Sequence, residues 1–595
     1  MSREFQQALQ LHQQGKYPEA AVIYGRVLRA QPRHFDALHL LGVLHLQSGR
    51  AQTALEYIEK ALRVNAGEAI VHANRGSALA NLGRAEAALE SYDRALQLKP
   101  DLIGILNNRA VTLLGLNRFE EAATAFYRLL EAAPAYDFAL GSLLQSQLYC
   151  CDWASHASTV ARVLESVDAG LPAARPFVML AATDSAETQL KCARAYVAGR
   201  HPASDQPLWR GERYRHSKIC VGYVSGDFRD HAVSMLAAGL FEKHDRERFE
   251  VIGISLAAAQ NTPLATRVTA SFTRLLDVTQ LSDAQAAAQI RDQEVDILVD
   301  LMGYTRGCRP DIFARRPAPV QVTYLGYPGT MGAPYMDYLL ADDFVIPEDS
   351  RVHYAERVVC LPHCFQVNDD SRFMDPVPSR EAAGLPPSGL VFCSFNSSHK
   401  LNPVFFGVWM RLLAAVPDSV LWLLGEAPAV RANLRSESAA RGIDPERLIF
   451  AERLPYAAHL ARLALADLFL DSIPFSGGAT VSDALWVGVP VVTCAGRALA
   501  SRMAGSLMRA VGLIEGITDS VEAYEALVLQ MAASPSRLTE WRERLAQARR
   551  DSPLFDTNLF RRHLECAYSA MWERTQRGEE PESFDVLPLE APGAP

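Results

Sequence analysis

Apolar positions in the first part of the chain recur with a period of 34 residues, the spacing from Ala20 to Ala54. Three columns run in phase through four copies of this period: Ala20, Ala54, Ala88 and Ala122; Tyr24, Ile58, Tyr92 and Phe126; and Gly15, Gly49, Gly83 and Asn117. A period of this length predicts pairs of helices. Since one pair cannot bury its own apolar face, we expect the pairs over residues 1–150 to stack into an α-helical solenoid with a concave groove.

Small residues and prolines recur in the same register and explain how the helices pack and where they end. Gly42 and Gly76 allow the two helices of a pair to approach closely, and a glycine between the helices adopts a positive φ without steric cost. Pro100 and Pro134 each end a copy, because proline cannot continue a helix. The groove predicts binding of a peptide or protein, and a role in assembly or as a spacer is the alternative.

The pattern changes to short apolar runs from Ile219 onward. Runs rich in strand-forming residues alternate with stretches of helical period, first over residues 216–385 and again over residues 386–577. Strands that alternate with helices predict a parallel sheet covered on both faces. We therefore expect two Rossmann-like α/β lobes, with a ligand cleft at the carboxyl ends of their strands. Residues 151–215 predict a helical linker, and the acidic, proline-rich residues 578–595 predict a disordered tail.

Composition and charge narrow the class of function. The net charge of −9 disfavours nucleic-acid binding, which needs a basic face. No apolar run reaches the roughly 18 residues of a membrane span, and the N-terminus lacks the zones of a signal peptide. We therefore expect a cytoplasmic protein that binds neither nucleic acid nor a membrane. Cys360, His363 and Cys364 lie close together, but no partner follows at a zinc-like spacing, so free thiols are favoured over a metal site.

The stretch DSIPFSGGATVSDALWVGVP predicts a phosphate-binding turn between a strand and a helix. Gly477 and Gly478 follow the strand, and the helix starts near Ala479 or Thr480. Adjacent glycines let backbone N–H groups approach a ligand, and the positive end of the helix dipole suits a diphosphate. A tight turn without a ligand explains the glycines equally well, and Thr480 with Asp483 also fits a helix-capping pattern.

Three further motifs carry candidate chemistry. Lys400 in FNSSHKLNP lies just beyond a strand, where an amine can neutralise a phosphate leaving group. Tyr456, His459 and Arg462 are spaced to share one face of a helix, on which a nucleotide base can stack. His231 follows a strand and a turn, and histidine exchanges protons near neutral pH. Taken singly, each motif also fits a structural role: a solvated charge, a partly exposed amphipathic helix and a histidine in a first helical turn.

Together these motifs resemble the protein O-GlcNAc transferase family, which includes the SPINDLY-like proteins. Repeats of the tetratricopeptide type are followed in order by GYVSGDFRDH, GYTRG, RPAPVQVTYLGYPGTMG, FNSSHKLNP, DSIPFSGGATVSDALW, LASR and SPLF. The resemblance covers nearly the whole chain. It implies a repeat arm followed by a two-lobed GT-B glycosyltransferase, which needs no cofactor or metal and inverts the anomeric centre. It also implies sugar transfer to Ser or Thr hydroxyls of proteins that are held partly by the repeats.

The resemblance also implies a role for each candidate residue. Lys400 stabilises the departing diphosphate, and His231 lies near the acceptor and the sugar, where it is a candidate base. The nucleotide sugar is bound by the other candidates: Ser397, Leu454, Tyr456, His459, Arg462, Gly477, Gly478, Ala479, Thr480 and Asp483. In this group the backbone N–H groups of Ala479 and Thr480 hold the phosphates, and Asp483 holds the ribose.

Departures from the family pattern leave the donor open. Gly478, Ala479 and Thr480 stand where the family often has His-Thr-Thr, Ser397 replaces a common glutamine, and Tyr456 replaces a lysine. UDP-GlcNAc is the expected donor, and GDP-fucose is the alternative within the family. A further alternative is a scaffold that binds partners through its repeats and nucleotide without turnover. A lipid or small glycan is the alternative acceptor. The joint survival of Lys400, His459, Thr480 and Asp483 favours an enzyme.

Overall fold

The computed structural model describes residues 3–425 and 427–589. The chain forms two compact units, Met1–Gln147 and Leu148–Pro595. The helices are α1 (Arg3–Gln13), α2 (Tyr17–Ala30), α3 (Phe35–Gln47), α4 (Ala51–Val64), α5 (Ala69–Asn81), α6 (Ala85–Leu98), α7 (Ile103–Gly115), α8 (Phe119–Ala132), α9 (Ala139–Cys150), α10 (His156–Asp168), α11 (Pro176–Ala182), α12 (Ala186–Arg200), α13 (Ala232–Lys243), α14 (Pro263–Ala270), α15 (Asp283–Asp292), α16 (Pro310–Ala314), α17 (Pro403–Ala415), α18 (Pro428–Ala440), α19 (Tyr456–Leu463), α20 (Ala479–Trp486), α21 (Leu499–Ala510), α22 (Val521–Ala532), α23 (Pro535–Asp551) and α24 (Thr557–Arg577). The strands are β1 (Ile219–Ser225), β2 (Phe249–Ser255), β3 (Arg274–Asp277), β4 (Ile297–Asp300), β5 (Val320–Thr323), β6 (Tyr338–Ala341), β7 (Arg357–Cys360), β8 (Val391–Ser394), β9 (Val420–Leu424), β10 (Leu448–Ala451), β11 (Leu468–Leu470), β12 (Val491–Cys494), β13 (Ile517–Thr518) and β14 (Phe584–Asp585). None of the described helices is both long enough and apolar enough to span a membrane.

The first unit confirms the predicted repeats. Helices α1 to α8 form four pairs, and each pair packs against the next. The alanine column and the aromatic or isoleucine column are buried in every copy. Helices α2, α6 and α8 each end two residues before the prolines Pro32, Pro100 and Pro134. The period therefore identified both the core residues and the helix ends, because each repeat position meets the same neighbours.

Glycine serves two purposes in the repeats, in the turns and at a close contact between helices. The turn within each pair is left-handed, with φ of +73°, +71° and +72° at Gly15, Gly49 and Gly83 and +60° at Asn117. Inside α5, a Cβ on Gly76 would lie 2.4 Å from Cε1 of Tyr92, so α5 can pack on α6 only where no side chain intervenes. Both observations confirm the roles predicted for the small residues.

The first α/β lobe is built on a sheet of eight parallel strands in the order β14-β7-β6-β5-β4-β1-β2-β3. Six of these strands were predicted from apolar runs, and the short edge strands β3 and β14 were not. The chain runs from β1 outward to β3 and then returns to β4 on the other side of β1. The carboxyl ends of β1 and β4 therefore form the topological switch point of this lobe.

Helix α24 belongs to the first lobe, so the predicted extent of the second lobe to residue 577 is wrong. Phe560, Leu564 and Tyr568 of this helix are part of the apolar core around β1 and α13. The Tyr568 hydroxyl also lies 3.2 Å from the hydroxyl of Tyr223 on β1. The helical period identified α24 but carries no information about which of the two sheets it covers.

The predicted disordered tail is wrong for residues 578–589. Strand β14 pairs in parallel with β7, and the N–H of Val586 donates a hydrogen bond of 2.9 Å to the carbonyl of Cys360. Arg351 Nη2 lies 2.7 Å from Asp585 Oδ1. The backbone of a sheet edge and the arginines Arg351, Arg574 and Arg577 hold this segment, although its composition is typical of disorder. Residues 590–595 lie outside the described residues.

The second α/β lobe is built on six parallel strands in the order β10-β9-β8-β11-β12-β13. The short strand β13 at its edge was not predicted. Trp409, Trp422 and Tyr524 are almost completely buried against this sheet. The two sheets confirm the predicted pair of Rossmann-like lobes.

Residues 151–215 are helical as predicted, but they are more than a linker because they pack on both lobes. Toward the first lobe, the N–H of Trp209 donates to the carbonyl of Arg316 at 2.9 Å. Toward the second lobe, the Asp184 carboxylate accepts hydrogen bonds of 2.8 and 3.0 Å from the N–H groups of Arg497 and Ala498, just before α21. This segment therefore holds the two lobes from one side.

We expect Gly76→Ala to destabilise the first unit, because the added methyl group would overlap Tyr92. Overpacking of a close contact costs about 1–3 kcal/mol. Gly25→Ala is the matched control, since Gly25 also lies inside a helix and no described atom comes within 4 Å of a Cβ built there. Its better helix propensity should leave stability unchanged or raised by up to about 1 kcal/mol. Thermal unfolding followed by circular dichroism compares the two, and equal shifts would contradict the close packing.

Candidate active site

The second lobe has its topological switch point between β8 and β11. From β8 the chain continues outward through β9 and β10, and it returns to β11 on the opposite side of β8. Loops that leave neighbouring strands in opposite directions open a crevice in which ligands bind. The loop after β8 carries Asn396 and Lys400, and the loop after β11 carries Asp471 and the glycine turn. The fold thus brings together two motifs that are far apart in sequence.

The carboxylate of Asp471 ties these two loops together. Its Oδ1 accepts hydrogen bonds from the N–H of Gly477 at 2.8 Å and from Asn396 Nδ2 at 3.0 Å, and its Oδ2 accepts one from Thr493 Oγ1 at 2.8 Å. Asp471 is completely buried, and burial raises its pKa while the three hydrogen bonds oppose that rise. Three donors from three elements therefore fix the start of the glycine turn.

Helix α20 begins where that turn ends. Gly478 is its N-cap residue and has no side chain to cap the helix. The N–H groups of Ala479 and Thr480 therefore form an uncapped helix start, at the positive end of the helix dipole. A Cβ on Gly477 would lie 2.6 Å from Val481 Cγ2, so glycine is required there for the turn to close. This arrangement is suited to an anion such as a diphosphate.

The capping interpretation of Thr480 and Asp483 is wrong. Thr480 is the second residue of α20, and its Oγ1 donates a hydrogen bond of 2.6 Å to Asn396 Oδ1. Asp483 lies a turn further along, where it bonds to other elements. Neither side chain reaches back to the helix start, because the sequence pattern was displaced by two residues from the true N-cap.

Lys400 lies beside the start of α20. It ends a single 3-10 turn, Ser398–Lys400, and its Nζ donates a hydrogen bond of 2.9 Å to the carbonyl of Ser476. The amine also lies 4.0 Å from the ring centre of Phe475. Burial lowers the pKa of Lys400 to about 8, and the nearby Asp471 carboxylate opposes this shift. A half-buried amine held by a carbonyl and a ring disagrees with the alternative of a solvated surface charge.

The turn that carries Lys400 is held in place by aromatic rings. The His399 ring lies 4.8, 5.6 and 5.7 Å from the rings of Tyr149, Phe177 and Phe475. Neither of its nitrogens has a hydrogen-bond partner within the described part of the chain, and burial lowers its pKa to about 3. His399 is therefore neutral and packs as an apolar ring. Ser397, at the start of the turn, is exposed and accepts the Lys400 N–H at 2.9 Å.

Helix α19 presents His459 and Arg462 side by side, as predicted. Arg462 Nη2 lies 3.3 Å from His459 Nδ1, and both side chains lie over Phe395, at 5.2 Å for the guanidinium and 5.4 Å for the imidazole. Burial lowers the pKa of His459 to about 4, so the ring is neutral at pH 7. Leu454 precedes the helix and is 46% exposed. A neutral imidazole with an exposed neighbour suits a planar base.

Tyr456, at the start of α19, extends its side chain to α20. Its hydroxyl donates a hydrogen bond of 2.7 Å to Asp483 Oδ1. The same oxygen accepts from Arg372 Nη1 at 3.2 Å. Burial raises the pKa of Asp483 to about 6, and Arg372 opposes the rise. Asp483 is thus a buried carboxylate with a phenol and a guanidinium as partners.

His231 comes from the first lobe and is the N-cap residue of α13. Its Nδ1 accepts from the N–H of Val233 at 3.3 Å and lies 3.4 Å from Asp227 Oδ2. Burial lowers its pKa, so the ring is neutral near pH 7. Arg453 of the second lobe lowers the pKa of both His231 and His459. Both histidines therefore lie within electrostatic range of the same guanidinium.

Cys360 and Cys364 are free thiols that bond to neighbouring groups of the protein. Cys360 Sγ accepts from Arg351 Nη2 at 3.1 Å, and Cys364 Sγ accepts from the N–H of Gln366 at 3.4 Å. No group of three His, Cys, Asp or Glu side chains among residues 3–425 and 427–589 is placed to hold a metal ion.

Sequence reasoning missed Asn396, Arg372 and the role of Asp471. Asn396 and Asp471 come directly after apolar strands, and polar residues at the carboxyl ends of parallel strands are candidates for the switch point. That signal was available. Arg372 carried none, because it lies in a polar stretch close to the predicted boundary between the lobes at residue 385.

Comparison with known proteins agrees with the sequence motifs. The model of glycosyl transferase family 41 matches residues 209–377 and 375–564, and tetratricopeptide repeat models match residues 5–63, 44–103 and 103–136.

Two plant proteins are among the relatives of this chain. A probable UDP-N-acetylglucosamine–peptide N-acetylglucosaminyltransferase of Arabidopsis thaliana, SEC, is 36% identical over 466 residues, which are 74% of this chain and 47% of the relative. A SPINDLY protein of Oryza sativa with the same description is 32% identical over 383 residues, which are 63% of this chain and 41% of the relative. The chain spans about half the length of the curated relatives it matches.

Among solved structures, a mutant O-GlcNAc transferase of Thermobaculum terrenum is 27% identical, with a TM-score of 0.57 over 97% of this chain and 99% of that one. These matches confirm the family resemblance and the fold. The chain belongs to glycosyl transferase family 41, with tetratricopeptide repeats ahead of its two α/β lobes.

Proposed function

We propose that this protein transfers N-acetylglucosamine from UDP-GlcNAc to serine or threonine hydroxyls of proteins, with inversion and without a metal ion. The observation that carries the proposal is the Lys400 amine, which bonds to the carbonyl of Ser476 two residues before the N-cap of α20. The relatives support the donor and the acceptor class, since their names describe transfer from UDP-N-acetylglucosamine to peptides.

Stabilisation of the leaving diphosphate is the task for which this arrangement is suited. Negative charge develops on the diphosphate as the bond from the sugar to the phosphate breaks. The N–H groups of Ala479 and Thr480 lie at the positive end of α20, and Lys400 adds a full charge beside them. Donors that are already fixed stabilise such charge without reorganisation. The protein itself thus supplies the charge that a metal ion supplies in other transferases.

The acceptor hydroxyl attacks the anomeric carbon from the face opposite the diphosphate, and therefore the configuration inverts. A new C–O bond forms, the bond to the phosphate breaks, and the hydroxyl proton passes to His231. This residue suits the role because burial lowers its pKa and keeps the ring neutral, ready to accept a proton. The concave groove of the repeats holds part of the acceptor protein.

The choice of donor and acceptor is tested by sugar transfer to proteins. With labelled UDP-GlcNAc we expect label on the Ser or Thr residues of lysate proteins, and with GDP-fucose we expect none. Transfer from GDP-fucose alone would overturn the donor. Binding of nucleotide with transfer from neither donor would support the scaffold alternative.

Lys400→Met should lower kcat by about 10²–10³-fold, because the charge is needed most in the transition state. Affinity for UDP should fall by less than about tenfold. Lys218→Met is the control, since Lys218 is exposed and bonds to the carbonyl of Arg246 away from the cleft. Steady-state kinetics and a UDP titration separate the two effects. Parallel losses in kcat and in UDP affinity would contradict a transition-state role.

Lys400→Met should also raise stability at pH 7. Burial lowers the pKa of Lys400 from 10.5 to about 8, so the charged amine is less favourable in the folded state. Between these two values the unfolded chain binds more protons at this site, and the free energy of unfolding therefore rises with pH. We expect the variant to gain about 1–3 kcal/mol at pH 7 and to lose that part of the pH slope. The free energy of unfolding of the Lys400 variant is compared with that of wild type and of Lys218→Met from pH 7 to pH 10. If it rises with pH as steeply in the Lys400 variant as in wild type, the lowered pKa of Lys400 is refuted.

His231→Asn separates a base from a helix cap. Asparagine is a good N-cap residue, so stability should stay close to wild type. It cannot accept a proton, so kcat should fall by about 10²-fold or more. Thermal unfolding and turnover are measured on the same sample. Full activity in this variant would leave His231 with the structural role alone.

A further inference from the structure

A buried arginine, Arg372, reaches the nucleotide side of the cleft from the inter-lobe segment, residues 361–390 between β7 and β8. The side chain of Arg372 is 1% exposed, and its Nη1 lies 3.2 Å from Asp483 Oδ1. Its Nη2 donates to Ser482 Oγ at 3.1 Å and to the Asn368 amide oxygen, and its Nε donates to the carbonyl of Asp369 at 3.1 Å. The guanidinium also lies 5.2 Å from the ring centre of Trp486. Four acceptors and one ring thus fix a single orientation.

This orientation is enforced from both sides of the cleft. Asn368 and Asp369 precede Arg372 in the chain, whereas Ser482 and Asp483 lie on α20 of the second lobe. Removing an ion from water costs several kcal/mol, and a buried guanidinium is tolerated where its N–H groups all find acceptors. Because the acceptors belong to two elements, Arg372 holds α20 at a fixed distance from the inter-lobe segment.

The Asp483 carboxylate is occupied on one oxygen and open on the other. Arg372 and Tyr456 both donate to Oδ1. Among residues 3–425 and 427–589, no group donates a hydrogen bond to Oδ2. This oxygen is also not fully buried. An accessible carboxylate oxygen of fixed orientation is suited to accept from a hydroxyl group of a ligand.

We propose that Arg372 is a positioning residue for the donor nucleotide, which holds the Asp483 carboxylate ionised and turns its open oxygen toward the ribose hydroxyls. Tyr456 supplies a second hydrogen bond but no charge, so the charge beside Asp483 comes from Arg372. The inference rests on the proposed function in one respect, the contact between Asp483 and the ribose.

The electrostatics support this role. Burial raises the pKa of Asp483 to about 6, and the Arg372 charge opposes that rise. Without Arg372 the carboxyl group would keep its proton at a higher pH, and a protonated carboxyl is a weaker acceptor for hydroxyl groups. Nucleotide affinity, which falls at low pH as Asp483 takes up a proton, should therefore begin to fall at a higher pH when Arg372 is replaced.

The test is a binding cycle with UDP and 2′,3′-dideoxy-UDP on the full chain. For Arg372→Met we expect UDP affinity to fall by about 10–100-fold, since one partner of a buried charge pair is lost. Affinity for the dideoxy nucleotide should change by less than about threefold, because this nucleotide has no ribose hydroxyl for the Asp483 carboxylate to bind. Arg372→Lys should recover part of the UDP affinity, since it keeps the charge.

Arg549→Met is the matched control. Arg549 lies 4.2 Å from the ring centre of the same Trp486 and is exposed, but it makes no contact with Asp483. Its replacement should leave both affinities unchanged.

Equal losses for UDP and the dideoxy nucleotide in Arg372→Met would overturn the inference, because they would show a general structural defect. If wild type itself binds both nucleotides equally, Asp483 does not contact the ribose, and the inference fails while sugar transfer is still judged by the donor assay. If sugar transfer fails while Arg372→Met still weakens binding of UDP much more than binding of the dideoxy nucleotide, the proposed function fails and the role of Arg372 stands.

Discussion

The buried carboxylate of Asp471 is the constraint on which the cleft depends. It accepts hydrogen bonds from Asn396 after β8, from Thr493 on β12 and from Gly477 in the glycine turn, so three distant segments meet at one anion. The same charge opposes the effect of burial on the pKa of Lys400. One carboxylate therefore shapes the turn at the start of α20 and also favours the charged form of the neighbouring amine.

Burial keeps two histidines of the site uncharged. His399 and His459 have pKa values lowered to about 3 and 4, so both are neutral at pH 7. The positive potential at the start of α20 is left to Lys400 and the helix amides. The inter-lobe segment adds Arg372 beside Asp483, and Gln366 Oε1 lies 3.0 Å from where a Cβ on Gly478 would stand. Residues between β7 and β8 thus lie beside a glycine turn that belongs to the second lobe.

The parts of the molecule that could be predicted from sequence are those whose causes are local or periodic. Gly76 and Tyr92 recur with the repeat, and Gly477 and Gly478 mark the turn between β11 and α20. What depends on distant partners was missed or misassigned. Composition hid the pairing of β14, the helical period could not show which lobe α24 covers, and Arg372 gave no local signal for its bond to Asp483. Thr480 and Asp483 matched a capping pattern, but the glycine before them is the true N-cap.

A crystal structure with bound UDP tests the central claim most directly. The account predicts the diphosphate against the N–H groups of Ala479 and Thr480, with a phosphate oxygen within hydrogen-bond distance of Lys400 Nζ. Diphosphate bound elsewhere in the protein, or bound here with Lys400 still turned to the carbonyl of Ser476 and away from the phosphates, would contradict it.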